Sequence, residues 1–425
     1  MSHAADEAFT VVIVLDHAYV SGGQSRVAFD SALGLKAHGH RPIVFAAAGP
    51  IDPCLAEQGI EVVCLDQSDL VTNPSPLAAA WQGIWNTDAA AALGALLGRL
   101  PRERTVVHVH GWAKALSASI ARPIQASGLP AVYTMHEFFL LCPNGGFYDY
   151  RKAEPCRLEP LSAACWSTNC DSRGYSRKLW RNVRQTVMEQ VADLPGAFGD
   201  YVLISEFQGR VVGDRLPTQA RVHRVSNPIA VADLGPKPDP ASGDFTFVGR
   251  LSPEKGAFVF AEAARRLGIR PVFVGDGPVR DELAARYPEA EFRGWQGQDG
   301  VAAAMRGARA LVFPSLWYEG QPLTVLEAKG LGTPVIVSDG CAGRDSVENG
   351  TTGLWFKCGD AGDLAAAMAQ LRHDGTVARM SQASYRDFWR EPPSIDRHVA
   401  EIVAVYRTAT GRSAVGKEAD ATRAA

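Results

Sequence analysis

The chain has 425 residues, 46% of them apolar and 21% charged, the composition of a packed globular protein too long for one ordinary domain and comfortable for two. Lys and Arg number 43 against 46 Asp and Glu, a formal charge of −3, so no basic field argues for a nucleic-acid partner. No apolar run is long enough to span a membrane and MSHAADEAFT lacks the pattern of a secretory signal, so a cytoplasmic location is expected, with peripheral contact at the inner face of a membrane left open.

FTVVIVLD (9–16) is a near-continuous apolar run, as a strand buried on both faces of a parallel sheet requires. A loop with Ser21, Gly22 and Gly23 follows, then the helical pattern VAFDSALGLKAHGH and a second strand, RPIVFAAAG. The βαβ rhythm continues through TVVHVHG (105–111) and AVYTMHE (131–137), which predicts a doubly wound parallel sheet. His136 closes the last of these strands. Alone it fits a structural histidine as well as a functional one, and its place at a strand end facing the expected cleft favours function.

Four of the eight cysteines, Cys142, Cys156, Cys165 and Cys170, then fall close together. Four thiolates suit a structural Zn²⁺, yet the spacing lacks paired C-x2-C knuckles, so buried or redox-active thiols stay open. SRKLWRNVRQTVMEQVADL (176–194) predicts a helix with Trp180, Val183, Val187, Val191 and Leu194 on one face and Arg177, Lys178, Arg181 and Arg184 nearby. It reads as an amphipathic helix with a solvated basic face, or as a contact for an anionic membrane or lipid-linked acceptor.

YVLISE (201–206) and RVHRVSNP (221–228) read as further strands, and AVADLGPKPDPASGD (230–244) as a linker. A second series follows: DFTFVGR (244–250), RPVFVGDG (270–277), AEFRGW (290–295), ARALVFPS (308–315) and TPVIVSD (333–339). The fold class is therefore α/β, two Rossmann-like doubly wound parallel-sheet domains facing a central cleft. The expected divisions are 1–228 with a cysteine-containing insertion at about 138–172, a linker at 229–243, a second domain at 244–390, a helix within 391–412 and a disordered tail at 413–425.

The most informative segment is FPSLWYEGQPLTVLEAKGLGTPVIVSD (313–339). A strand ends at Ser315, a loop carries Glu319 and Gly320, and Pro322 suits the first turn of a helix that holds Glu327. A helix opening at the carboxyl end of a parallel strand offers free N–H groups to a phosphate. A carboxylate there can accept two hydrogen bonds from ribose hydroxyls. FVGRLSPEKG (247–256) adds Arg250 and Lys255, both able to reach a diphosphate and to stabilise the charge on a leaving nucleoside diphosphate. No D-x-D pair occurs to hold a divalent ion, so these two cations take its place. Each feature alone has a bland reading: two glutamates eight apart, a solvated Arg and Lys, a tight turn at Gly22-Gly23. Their conjunction, in order along successive strand ends, is what carries the argument.

The R-x-x-x-x-K pair and the E-x7-E spacing of Glu319 and Glu327 resemble family 4 of the glycosyltransferase classification, retaining enzymes of the GT-B fold. The resemblance implies transfer from a UDP- or GDP-sugar to a glycan, lipid-linked or small-molecule acceptor, with no metal or other cofactor needed for catalysis. It implies a donor held mainly by the second domain and an acceptor held mainly by the first. Glu319 would contact the transferred sugar, Glu327 the ribose, and Arg250 and Lys255 the diphosphate. The backbone of Gly320, Gln321, Pro322, Leu323 and Thr324 would hold sugar and phosphate, and the Arg293–Gln296 turn would border the base. Gly22 and Gly23 resemble the family's glycine-rich loop, and His136 matches the histidine beside the donor sugar, with Glu137 where Asp is common. Ser205, Glu206 and Asn227-Pro228 match familiar positions, and SIDRHVAEIVAVYR (394–407) resembles a final helix that crosses back to the first domain. Gly320-Gln321-Pro322 departs from the family's Gly-Phe-Gly. The rivals are a sugar-nucleotide epimerase, a sugar phosphorylase, or a non-catalytic zinc-stabilised scaffold. Base, sugar, acceptor and oligomeric state stay open.

Overall fold

The computed structural model describes residues 8–412; the expected tail at 413–425 lies outside them. In the first half the strands are β1 (Thr10–His17), β2 (Arg41–Ala48), β3 (Glu61–Cys64), β4 (Thr105–Val109), β5 (Ala131–Met135), the short hairpin β6 (Tyr148–Asp149) and β7 (Glu154–Pro155), β8 (Asp200–Leu203) and β9 (Arg221–Arg224). In the second they are β10 (Phe245–Val248), β11 (Val272–Val274), β12 (Glu291–Phe292), β13 (Ala310–Phe313), β14 (Val335–Ser338) and β15 (Gly353–Phe356). One parallel sheet runs β3-β2-β1-β4-β5-β8-β9 and the other β12-β11-β10-β13-β14-β15. Both orders reverse direction beside their first strand, which opens a crevice at the carboxyl edge. The expected pair of doubly wound sheets is what the chain forms.

Alternation fixes which residues each layer takes. Val12 and Val14 of β1 face the core with Leu93 and Leu97, while Val11, Ile13 and Leu15 face a second core with Phe29. The second sheet is likewise buried on both faces, with Phe245, Phe247 and Phe273 on one side and Val248, Val272 and Val274 on the other. Burying each of these side chains contributes roughly 1.5–3 kcal/mol.

The helix Ile395–Ala409 packs on the first sheet: Val399, Ile402 and Tyr406 join the core of Val11 and Ile13. His398 sits between Ser31 Oγ at 2.8 Å and the Ser226 carbonyl at 2.9 Å, and Tyr406 Oη meets His108 Nδ1 at 2.7 Å. Gly34 gives it room, since a Cβ there would stand 2.7 Å from Ile395 Cγ1. The segment between β9 and β10 has no helix or strand, yet it is strapped to the second sheet's half. Arg306 donates to the carbonyls of Leu234 and Gly235, and the buried Lys237 donates to that of Ala308.

Two strands of the parallel sheets were not read in the sequence, and two readings need amending. β3 and β15 are four-residue edge strands, too short to show a period. RVHRVSNP is a strand only to Arg224. In the helix Tyr175–Val187, continued by a π-helical turn at Met188–Ala192, the buried residues are Lys178, Asn182, Arg184 and Gln185, while Val183 and Val191 are exposed. The basic face is thus partly inward, contrary to an ordinary amphipathic helix, because Lys178 and Arg184 have partners inside the fold.

Candidate active-site cleft

The second half presents its residues from loops at the carboxyl ends of β10 and β13. The loop after β10 is held by Gly256, whose φ of +72° and approach to the Pro314 carbonyl (1.9 Å from a would-be Cβ) admit no side chain. That contact brings Lys255 beside the loop after β13. Lys255 Nζ pairs with Glu319 Oε1 at 2.7 Å, Ser315 Oγ donates to the same oxygen at 2.8 Å, and the ammonium lies 5.0 Å from the Trp317 ring centre. Glu319 itself has φ +53°, a left-handed conformation that costs a non-glycine residue of order 1 kcal/mol and recurs at functional sites. Arg250 extends into solvent, its one ion pair among the described residues a 3.8 Å contact with Glu254.

The helix Leu323–Gly330 begins after Pro322 with no side-chain cap, so its first N–H groups are open to an anion. Glu327, one turn in, is partly buried, and burial raises its pKa. Its carboxylate has no hydrogen bond or ion pair among the described residues, which suits an acceptor for hydroxyl donors. The Gln321 side chain is tied to the first half: Oε1 accepts from the Asn227 N–H at 2.7 Å.

From the first half, His136 follows β5. Its Nε2 lies 3.0 Å from His110 Nδ1, the rings stack at 5.2 Å, and burial pushes its pKa down to about 3, so the imidazole is neutral. Gly22 precedes the helix Gly23–Ala37, whose first turn is held by Ser25 Oγ accepting from the Ser21 N–H at 2.8 Å.

The two halves meet on these residues. A Cβ on Gly320 would stand 2.9 Å from the His136 carbonyl, and one on Gly23 would stand 4.0 Å from Leu323 Cδ1. Tyr318 lies edge-on to Phe138 and Phe207 of the first half, at 6.4 and 5.7 Å. His136, Gly23, Lys255, Glu319, Gly320 and Leu323 therefore share one cleft. Ser205 and Glu206 stand apart from this set: Ser205 caps the helix Glu206–Val212, and Glu206 pairs with Arg224. They line a cavity of about 420 Å³ with Asp345 and Arg397, which Gln321 and Leu326 also line. Ser315, Trp317 and Gly256 were not singled out by the sequence, although L-W-Y before Glu319 and Gly directly after Lys255 were visible signals.

Cys142, Cys156, Cys165 and Cys170 do come together, around a void of about 10 Å³ that Lys178 also lines. Lys178 Nζ donates to Cys165 Sγ at 3.2 Å and Asn144 Nδ2 to Cys170 Sγ at 3.8 Å. Among the described residues no three such ligands are arranged to hold a metal. The structural-zinc reading is thus not supported, and an ammonium supplies positive charge among the thiols instead. Burial raises the pKa of Cys170 to about 11, as for inert buried thiols. None of the described helices is long and apolar enough to cross a membrane.

Two family models match the chain, one described as Glycosyltransferase Family 4 over residues 21–232 and one as Glycosyl transferases group 1 over residues 242–374. Among curated proteins, the chain is 32% identical over 152 residues to the UDP-Gal:alpha-D-GlcNAc-diphosphoundecaprenol alpha-1,3-galactosyltransferase of Escherichia coli, a match covering 32% of this chain and 38% of that protein. It is 36% identical over 140 residues to a GDP-mannose-dependent alpha-mannosyltransferase of Mycolicibacterium smegmatis, covering 32% of this chain and 37% of the relative. The match thus spans under two-fifths of the length of either relative. Among solved structures, the sucrose-phosphate synthase of Thermosynechococcus elongatus superposes with a TM-score of 0.69 at 16% identity, over 95% of this chain and 100% of the other, a likeness of fold.

Proposed function

We propose, from the premise that this chain belongs to glycosyltransferase family 4, that it is a retaining glycosyltransferase moving a sugar from a UDP- or GDP-sugar to a glycan, lipid-linked or small-molecule acceptor without a metal ion. The observation that carries this reading is the Lys255–Glu319 pair held against the His136 backbone across the cleft. One relative's name specifies UDP-galactose and another's GDP-mannose, which supports a nucleoside-diphosphate sugar and leaves the base between those two.

In this reading the half bearing the six-stranded sheet, taken as 244–390, holds the donor, and the half within 1–228 holds the acceptor. Arg250, Lys255 and the open N–H groups of Leu323 and Thr324 bind the diphosphate. Glu327 accepts from the ribose hydroxyls, and Glu319 exchanges its ammonium partner for hydroxyls of the sugar. Gly22, Gly23 and neutral His136 close over the sugar and exclude water. As the bond from the anomeric carbon to the diphosphate oxygen breaks, its electron pair leaves with the diphosphate, and the fixed cations stabilise that charge. The acceptor hydroxyl attacks from the same face and passes its proton to the departing phosphate oxygen.

The test is thermal unfolding of the full chain with UDP, GDP and ADP in the presence of a chelator. At about 100-fold over Kd, binding to the folded state adds about 2.7 kcal/mol, so a selective rise in Tm with UDP or GDP is expected. No rise with any nucleotide overturns the donor site. A rise that requires added divalent ion overturns the metal-independent mechanism.

A further inference from the structure

The helix Tyr175–Val187 buries a polar stripe, which a fold does not retain for stability alone. Arg184 is 2% exposed. Its Nη1 donates to the Ala113 carbonyl at 2.9 Å, while Nε and Nη2 have no partner among the described residues. Its guanidinium lies 5.0 Å from the Phe139 ring centre and 5.2 Å from that of Trp180. Burial, with Arg181 as a like-charged neighbour, pushes its pKa down to about 9. A buried guanidinium with two idle nitrogens is a costly arrangement that an arriving anion would relieve.

Arg184 lines a cavity of about 190 Å³ together with Lys114, Arg173, Arg177 and Arg181, and no carboxylate lines it. Arg181 is paired with Asp171 at 2.7 Å; the side chains of Lys114, Arg173 and Arg177 make no ion pair among the described residues. The charges of Glu137 and Asp16 act on Arg184; Glu137 has a buried Oε1 without a partner among the described residues, and burial pushes its pKa up to about 7. The other wall is apolar, built from Leu70, Val71, Ala79 and Ala80. Beside it Val71, Leu77 and Trp81 are 70%, 85% and 69% exposed. The cavity opens at the same sheet edge as the cleft, since Ala113 and Lys114 follow β4 and Phe139 follows His136.

We propose that this cavity holds a phosphate or diphosphate ester carried by the acceptor, with the acceptor's apolar chain lying over Val71, Leu77 and Trp81. The cations match phosphate oxygens as charge-assisted, partly bidentate donors, and the exposed apolar residues match a hydrocarbon chain. This rests on the transferase reading above, because it names the chemistry of that reaction's acceptor.

The experiment titrates the full chain, its donor site saturated with a nucleoside diphosphate, with inorganic pyrophosphate and with a short prenyl diphosphate. The prenyl diphosphate is expected to bind, and Arg173→Gln/Arg177→Gln to weaken it roughly tenfold with nucleoside diphosphate affinity unchanged. Both arginines are exposed, so the variant keeps its fold. Tighter binding of the prenyl compound than of pyrophosphate supports the lipid source. Equal affinities, both weakened in the variant, keep the phosphate site and overturn the apolar platform. No binding of either, or binding indifferent to the substitutions, overturns the site. Failure of the parent chain to bind any nucleoside diphosphate is a separate result and counts against the donor reading.

Discussion

Glu319 combines a left-handed backbone with a carboxylate shared between Lys255 and Ser315, and the two properties can be separated by substitution. Alanine removes the carboxylate and keeps the strain, whereas glycine removes both. Glu319→Ala and Glu319→Gly are both expected to lower transfer by roughly 10²-fold or more, as loss of a group acting on the transition state does. Glu319→Gly should nevertheless unfold at a higher denaturant concentration than Glu319→Ala, by about 1 kcal/mol. Near-normal turnover in either variant removes Glu319 from the chemistry, and equal stabilities remove the strain. Glu319 was legible as a candidate because a second glutamate lies eight residues on. The Ser315 and Trp317 contacts were not, since they depend on how the loop folds back.

At the scale of elements, the ends of β4 and β5 carry three neighbouring histidines: His108 and His110, tilted at 4.1 Å, and His136, stacked on His110. Burial pushes the pKa of His108 and His136 to about 3 and holds His110 well below its usual value. An unfolded histidine titrates near 6.5, so between pH 6.5 and 3 the unfolded chain binds more protons and stability falls as pH drops. Glu137 acts in the opposite sense: its pKa is about 7 when folded and ordinary when unfolded, so between those values it favours the folded chain as pH drops. His398, also held below its usual value by burial, adds to these three, so urea unfolding should show lower stability at pH 5 than at pH 6. A flat profile would mean that the histidines are hydrated in solution. Gly256→Ala tests the loop after β10: its Cβ meets the Pro314 carbonyl at φ +72°, so a loss of about 1–3 kcal/mol is expected, with weaker nucleotide binding as Lys255 shifts. Unchanged stability and affinity would show that the loop tolerates a side chain. The eight-residue strand β1 was readable as a near-continuous apolar run, whereas the edge strands β3 and β15 are too short to carry a period. The buried polar stripe of Tyr175–Val187 was misread, because helical periodicity assigns the apolar face inward and here charged groups have interior partners.

For the whole molecule, the arrangement of the halves depends on contacts that lie on both sides of the cleft. On one side Gly320 abuts His136 and Gly23 approaches Leu323. On the other, Asp345 of the second half accepts from the Phe207 N–H at 2.6 Å and from Arg210 Nη2 at 2.9 Å, both in the first half. Asp345 is therefore a latch whose removal frees the relative position of the halves without touching either core. The exposed Arg210 pair contributes little alone, whereas a charged hydrogen bond to a half-buried backbone N–H contributes roughly 1.5–3 kcal/mol. Asp345→Ala should raise the donor KM by up to roughly tenfold and leave the pH profile unchanged, because no titrating group of the cleft is altered. Small-angle scattering should show a larger radius of gyration for the unliganded variant that returns to the parent value on saturation with donor nucleotide. That pattern separates closure from chemistry, since binding energy then goes partly into bringing the halves together. An unchanged KM and an unchanged radius would mean that the cleft contacts at Gly320 and Tyr318 hold the halves together unaided.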